Sequence, residues 1–197
     1  MLKCTMSSSR VWLFRGLVMV AAGLMLLSWF MPWWSCYIVE VMLDNAIVIH
    51  PWGLEQNLGP FAGYASSGFE MPVWFAPFMW TYLGICVAAL LYGSWLGEKE
   101  VKIGKFKFKW PKLLVGGVGL SYIVVVVLAV IVAAIRTGDF YGMHLIGYSY
   151  FEVATHVESG VEAGLRFGYW LACGVGPLCI ALALLRDRII GKPKLNT

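Results

Sequence analysis

The sequence predicts an all-α membrane protein, a bundle of four transmembrane helices with a small extracytoplasmic β-hairpin or sheet built from two outer loops. Three observations predict it. Of 197 residues, 60% are hydrophobic and 13% charged, against roughly 45–50% and about 25% in a soluble domain; lipid absorbs that apolar excess and a soluble core does not. Four apolar runs reach the roughly 20 residues a helix needs to cross the hydrocarbon. Lysine and arginine crowd into alternate connections.

The apolar runs are Gly16 to Trp34, Val73 to Leu96, Leu113 to Ile135 and Phe167 to Leu185, and none contains Lys, Arg, Asp, Glu or His. In lipid such runs must be helical, because a helix closes its own backbone hydrogen bonds where no water is at hand. The spans are placed at about 11–34, 73–96, 113–135 and 156–185. They leave outer loops at 35–72 and 136–155, a cytoplasmic loop at 97–112, and a single membrane domain over 1–197.

The N-terminal tail carries Lys3, Arg10 and Arg15; the middle loop carries six lysines from Lys99 to Lys112; the C-terminal tail carries Arg186, Arg188, Lys192 and Lys194. Of the 15 basic residues, only Arg136 and Arg166 fall in the other two connections, which hold most of the acids. Basic residues collect on the cytoplasmic side, so the expectation is a multi-pass cell-membrane protein with both termini cytoplasmic. A cleaved signal peptide needs small residues at its end. The first run ends Met31-Pro32-Trp33-Trp34-Ser35-Cys36, and its bulky residues predict that the span is kept. Of the five cysteines only Cys36 lies near the outer surface. There it has no outer-loop partner for a disulfide, and no zinc-like spacing occurs.

In the first outer loop, Tyr37 to Leu43 is β-branched and apolar. Asp44-Asn45 reads as a turn, and Ala46 to Ile49 as the returning strand of a hairpin ended by His50-Pro51-Trp52-Gly53. Such a hairpin is marginal alone. Its expected partner is a strand at His144 to Phe151 in the second outer loop. Leu54 to Phe69, rich in Gly, Ser and aromatics, reads as an ordered loop. Thr155-His156-Val157-Glu158 fits a capping box, which starts the fourth helix outside the membrane. From there Gly160, Gly164, Gly168, Ala172 and Gly176 recur every four residues. In a helix they make a ridge for close packing, as small-xxx-small patterns do, with Pro177 loosening the helix beyond it.

The chemical candidates are sparse. His144, Glu152 and His156 form one conceivable ligand set for zinc or copper, although their spacing matches no metal motif and ordinary hydrogen-bonding histidines are the plainer reading. Lys102, Lys105, Lys107, Lys109 and Lys112 alternate with Ile103, Phe106, Phe108 and Trp110. In an extended segment, cations then meet anionic head groups while aromatics dip into lipid, at about 1 kcal/mol per Lys. A short loop pinned between spans suits no nucleic acid. No GxSxG, HExxH or Walker loop is present, so no enzyme and no cofactor is expected. Ion-coupled transport ordinarily places ionisable groups within the membrane, and the four runs have none.

The layout is a short inner tail, a span, a larger outer loop with a hairpin, two spans joined by a short inner loop, a smaller outer loop with a strand, and a last span. With Trp33-Trp34 after the first span and Pro51-Trp52-Gly53-Leu54 further on, it resembles the tetraspan plan of claudins and peripheral-myelin-protein-like proteins. That resemblance implies an outer β-sheet drawn from both loops. The paired loop cysteines of claudins are not matched, and no functional residue is carried over. The expected function is a non-catalytic membrane subunit or adhesion-type tetraspan that binds other membrane proteins, or copies of itself, through Trp33, Trp34, Trp52 and the small-residue ridge. The alternatives are an oligomeric channel or small-solute facilitator, and an accessory subunit of a membrane metalloenzyme.

Overall fold

A computed structural model describes residues 8–39, 43–57, 71–96, 100–103, 106–141, 144–154 and 157–190. Four helices, α1 (Ser8–Phe30), α2 (Phe75–Trp95), α3 (Trp110–Tyr141) and α4 (Phe167–Ile190), are joined by seven strands among these residues. All four helices contain stretches long and apolar enough to cross a membrane: Ser9–Phe30, Phe75–Trp95, Trp110–Ile135 and Phe167–Ile190. Their surfaces agree. Leu13, Val20 and Phe30 on α1, and Leu120, Val124, Val127 and Ile131 on α3, are large apolar side chains left exposed. A helix apolar all round belongs in a core or in lipid.

The strands are β1 (Trp34–Ile38), β2 (Leu43–His50), β3 (Gly53–Gln56), β4 (Glu100–Ile103), β5 (Phe106–Lys109), β6 (Gly147–Ala154) and β7 (Val157–Leu165). Five of them form one antiparallel sheet in the order β3-β2-β1-β7-β6, and β4 pairs with β5 as a separate hairpin. The larger sheet therefore draws on both the α1–α2 and the α3–α4 connections. Opposite residues share a face. In the register Cys36↔Ile47, Cys36↔Ala163 and Ile38↔Val161, apolar residues stack across three strands. Together with Trp34 and Ala46 these five residues make a buried cluster.

Four boundaries differ from the sequence reading. The first span stops at Phe30, because Trp33 is held by the sheet: its N–H donates to the Ile49 carbonyl and its own carbonyl accepts from the Arg166 N–H, each at 2.9 Å. The hairpin reverses before Leu43, so Asp44-Asn45 lies within β2 rather than at the turn. The turn signal survives locally, since Asn45 has a φ of 53°, a conformation Asn tolerates better than most residues. It sits where the β1–β2 register shifts between Cys36 and Ile38, as a bulge requires. The expected strand at His144 to Phe151 begins three residues later, at Gly147. The largest change concerns Val157–Leu165, expected as the first turns of the fourth helix. It is strand β7, paired along β1 on one edge and β6 on the other. Helix α4 starts instead at Phe167, where the Arg166 carbonyl accepts from the Tyr169 N–H at 3.1 Å. Thr155 and His156 of the expected capping box lie outside the described residues, as does most of the expected loop after Leu54.

Contacts divide the chain into two compact units, one of residues 1–25, 83–124 and 173–197, the other of 26–82 and 125–172. In the first unit, α3 and α4 approach through glycine. A methyl group on Gly119 would stand 2.8 Å from the Gly176 carbonyl oxygen, and one on Gly176 would stand 2.5 Å from the Ile123 side chain. Arg15 lies between the rings of Trp12 and Trp95, 5.1 and 5.0 Å from their centroids, while its Nε donates to the Ser94 carbonyl at 3.3 Å. Both Lys109 and Lys112 reach Asp187, at 3.3 and 2.7 Å.

The glycine contact yields a paired test. Gly119→Ala places a carbon against backbone that cannot step aside, and overpacking of this kind costs about 1–3 kcal/mol. The expected result is a clear fall in the thermal midpoint of the detergent-solubilised protein. Gly174→Ala, on the same helix pair with nothing within 4 Å, leaves the midpoint unchanged or raises it.

Candidate functional site

The sheet-bearing unit holds the arrangement with most chemical content. It begins at Met31 and Pro32, whose backbone lies so close to Gly168 that a methyl group there would stand 2.6 Å from the Pro32 carbonyl oxygen. Only glycine permits this approach. The Ser28 hydroxyl then donates to the Gly168 carbonyl at 2.9 Å, fixing the end of α1 against the start of α4. Trp33 and Trp34 follow, 4% and 1% exposed. Each indole meets a carbonyl, Trp33 Nε1 donating to Ser28 at 3.0 Å and Trp34 Nε1 to Leu145 at 2.6 Å. Arg166 Nε donates to the Ser35 hydroxyl at 2.6 Å.

Past β2 the chain turns through Pro51 and Trp52, and the His50 ring stacks on Trp52 with centroids 5.0 Å apart and planes 13° from parallel. Trp52 in turn stacks on Trp80 at 6.2 Å, and Trp80 meets Trp29 edge-on at 6.3 Å. His50 is 8% exposed. Its Nε2 lies 3.8 Å from a Glu55 carboxylate oxygen, while His50 Nδ1 and Trp52 Nε1 are buried without a hydrogen-bond partner among the described residues. His50 also lines a cavity of about 260 Å³, walled by Trp33 and Trp34, by Phe78 and Met79 of α2, and by Leu128 and Thr137 of α3. Thr137 is already satisfied, donating to the Ala133 carbonyl at 2.9 Å. A second, shallower pocket abuts the first through Leu54 and Met71 and carries Trp52 and Gln56.

At the opposite edge of the sheet, β6 pairs, among the described residues, with β7. The rings of Tyr148 and Tyr150 meet at 5.1 Å, and the two side chains are 47% and 65% exposed. Ser149 between them is buried, its hydroxyl accepting from the His144 N–H at 2.8 Å.

The residues singled out from sequence are distributed as follows. Trp33 and Trp34, expected on an outer partner surface, are core residues; their aromatic bulk is spent on the sheet, and Trp52 is only half-buried. The small-residue ridge is broken. Gly160 and Gly164 lie on β7, where strand pairing claims their backbone, and only Gly168, Ala172 and Gly176 remain on α4. Gly168 and Gly176 do make close backbone approaches, each within its own unit. Of the metal candidates, His144 precedes β6, Glu152 lies on β6, and His156 falls outside the described residues; among those residues no three His, Cys, Asp or Glu come together. Lys102 and Lys107 are opposite partners in the β4–β5 hairpin, Lys105 is outside the described residues, and Lys109 and Lys112 pair with Asp187. The His50–Trp52 stack and the cavity were not foreseen. Their signal was the conjunction of His50, Pro51 and Trp52 with a fully apolar second run, too short a pattern to declare a site.

Comparison with family models, curated proteins and solved structures found no match.

Cys36 supplies a test of the sheet core. Burial among apolar neighbours pushes its thiol above the ordinary value, against smaller opposing effects from the Ile47 backbone and Arg166. A raised native pKa means that the neutral thiol favours the fold. That contribution is complete below the unfolded thiol's pKa, about 8.5, and disappears as pH climbs through the higher native value. Maleimide at pH 7.5 is expected to modify Cys36 only after denaturation, as peptide mapping would read. Cys36→Val is expected to remove part of the alkaline loss of stability.

Proposed function

We propose that this chain is a non-catalytic, multi-pass membrane protein in which the four helices form a transmembrane bundle. Its termini and the β4–β5 hairpin are cytoplasmic, and its five-stranded sheet is extracytoplasmic. In this reading it acts by binding partner proteins at the outer edge strand β6. The observation that carries the reading is the exposed pair Tyr148 and Tyr150 on a strand that lies, among the described residues, at the edge of the sheet. An edge strand offers unpaired N–H and C=O groups to an incoming chain. Tyrosine is among the residues enriched at interface hot spots, because its rigid ring buries much area at small entropic cost. The orientation is supported by the placement of lysine and arginine, with Lys109 and Lys112 on the cytoplasmic side beside the lipid head groups.

Native purification from the source membrane tests the partner surface. A stoichiometric companion, or a second copy of the chain, is expected with the wild-type protein. It is expected to be reduced at least tenfold with Tyr148→Ala/Tyr150→Ala, each hot-spot side chain contributing about 1–2 kcal/mol. A protein that runs as a lone monomer in mild detergent and retains no companion would overturn the reading. An epitope tag after Thr197 tests the orientation. It is expected to bind antibody only in permeabilised cells.

A further inference from the structure

We propose that Arg15, held between Trp12 and Trp95, grips the phosphate of a phospholipid of net negative charge, at the end of the first unit where all four helices touch. The proposal rests on the reading of those helices as spans. It depends neither on their direction nor on the partner surface of β6.

Three observations carry it. The first is a guanidinium with a fixed pose and donors to spare. Two indole rings hold it by cation–π attraction, their centroids 5.1 and 5.0 Å away, and Nε donates to the Ser94 carbonyl at 3.3 Å. Among the described residues Nη1 and Nη2 have no acceptor, and both stay accessible, because Arg15 is half-buried and neither nitrogen is sealed off. Their N–H groups form the planar fork that takes two phosphate oxygens at once.

The second is charge. Arg15 bonds α1 to α2. A methyl group on Gly93 of α2 would stand 3.3 Å from Leu114 of α3. Lys109 and Lys112, at the start of α3, reach Asp187 of α4, and Arg186 of α4 lies over the Phe14 ring of α1 at 5.7 Å. This closed circuit, all within the first unit, holds Arg15, Lys109, Lys112 and Arg186 against the single carboxylate of Asp187. Glu100, opposite Lys109 in the β4–β5 hairpin, is outweighed by Lys102 and Lys107 on the same face. A zwitterionic head adds its own cation to that excess, whereas an anionic head relieves it.

The third is depth. Arg15 precedes Gly16, Lys112 precedes Leu113 and Arg186 follows Leu185, so each stands at the rim of an apolar run, the level at which lipid charges lie. Trp12 and Trp95 are 58% and 66% exposed, and further into the spans Val20 of α1 and Ile85 of α2 are exposed as well. An apolar surface for acyl chains thus continues from the guanidinium. A free phosphate or an acidic protein segment makes no use of it.

The test uses the full chain in detergent, stripped of lipid. Dioleoyl phosphatidylglycerol and dioleoyl phosphatidylcholine are titrated separately and read by native mass spectrometry. The anionic lipid is expected to bind roughly fivefold more tightly, as one cation beside an anionic head predicts. Arg15→Gln is expected to erase that preference. Arg10→Gln removes an exposed cation of the same helix and is expected to keep it. On the native chain, phenylglyoxal is expected to modify Arg15, as peptide mapping would read, and phosphatidylglycerol but not phosphatidylcholine to protect it. Equal binding of the two lipids would overturn the proposal, and so would equal losses in the two variants, the mark of diffuse surface charge. An Arg15 that never reacts, or that phosphatidylglycerol leaves unprotected, would overturn it whether or not either variant folds. Displacement of the lipid by inorganic phosphate at equal concentration would mark an ion site and overturn it too. Carbonate extraction of vesicles carrying the native chain separates the two readings. Release from the membrane would sink the spans and this proposal together; a retained protein without lipid preference would sink the proposal alone.

Discussion

Strand β1 is five residues long, and the sheet-bearing unit depends on it. Both of its edges are used, one by β2 from its own connection and one by β7 from a connection more than a hundred residues away. A hairpin by itself is marginal; the second pairing turns it into a sheet with an apolar layer through Trp34, Cys36 and Ile38. The same pairing sets where the flanking helices stop and start. Because Trp33 exchanges backbone bonds with Ile49 and Arg166, α1 cannot run on to Trp34 and α4 cannot begin before Phe167. The Ser28–Gly168 bond and the bare face of Gly168 then close the corner.

The glycines of α4 and its approach illustrate how one residue type serves different ends. Gly176 lets two helix backbones come together, and Gly168 lets a helix start meet a passing chain at Met31 and Pro32. Gly160 and Gly164 instead lie in a strand, where Gly160 accepts from the Val39 N–H just past β1. Spacing alone treated all of them as one ridge. The physical content differs because the hydrogen-bond partners differ.

That case marks how far the sequence was legible. The four apolar helices were readable because length and hydrophobicity leave few alternatives, and the existence of a small sheet was readable from β-branched runs in the connections. The identity of β7 was not. Val157, Val161, Ala163 and Leu165 recur with a period of two, which favours a strand. The glycine spacing and an apparent capping box favoured a helix over the same residues, and only the pairing with β1 decided between them. The burial of Trp33 and Trp34 was obscured for a related reason. A tryptophan pair at the end of an apolar run fits an interfacial belt as well as a sheet core. Nothing local showed that the carbonyls of Ser28 and Leu145 would receive their indole protons. The His50–Trp52–Trp80 stack joins a loop to a helix, and such long-range proximity leaves no periodic trace.

The separation between β1 and β7 also has a consequence in time. Ribosomes add about 5–20 residues each second, so β1 emerges many seconds before β7 exists. Throughout that interval the nascent chain carries an open strand edge with Trp34 and Cys36 uncovered. Its safe passage then rests on how soon the chain through residue 165 is made, or on a chaperone that shields the edge until then.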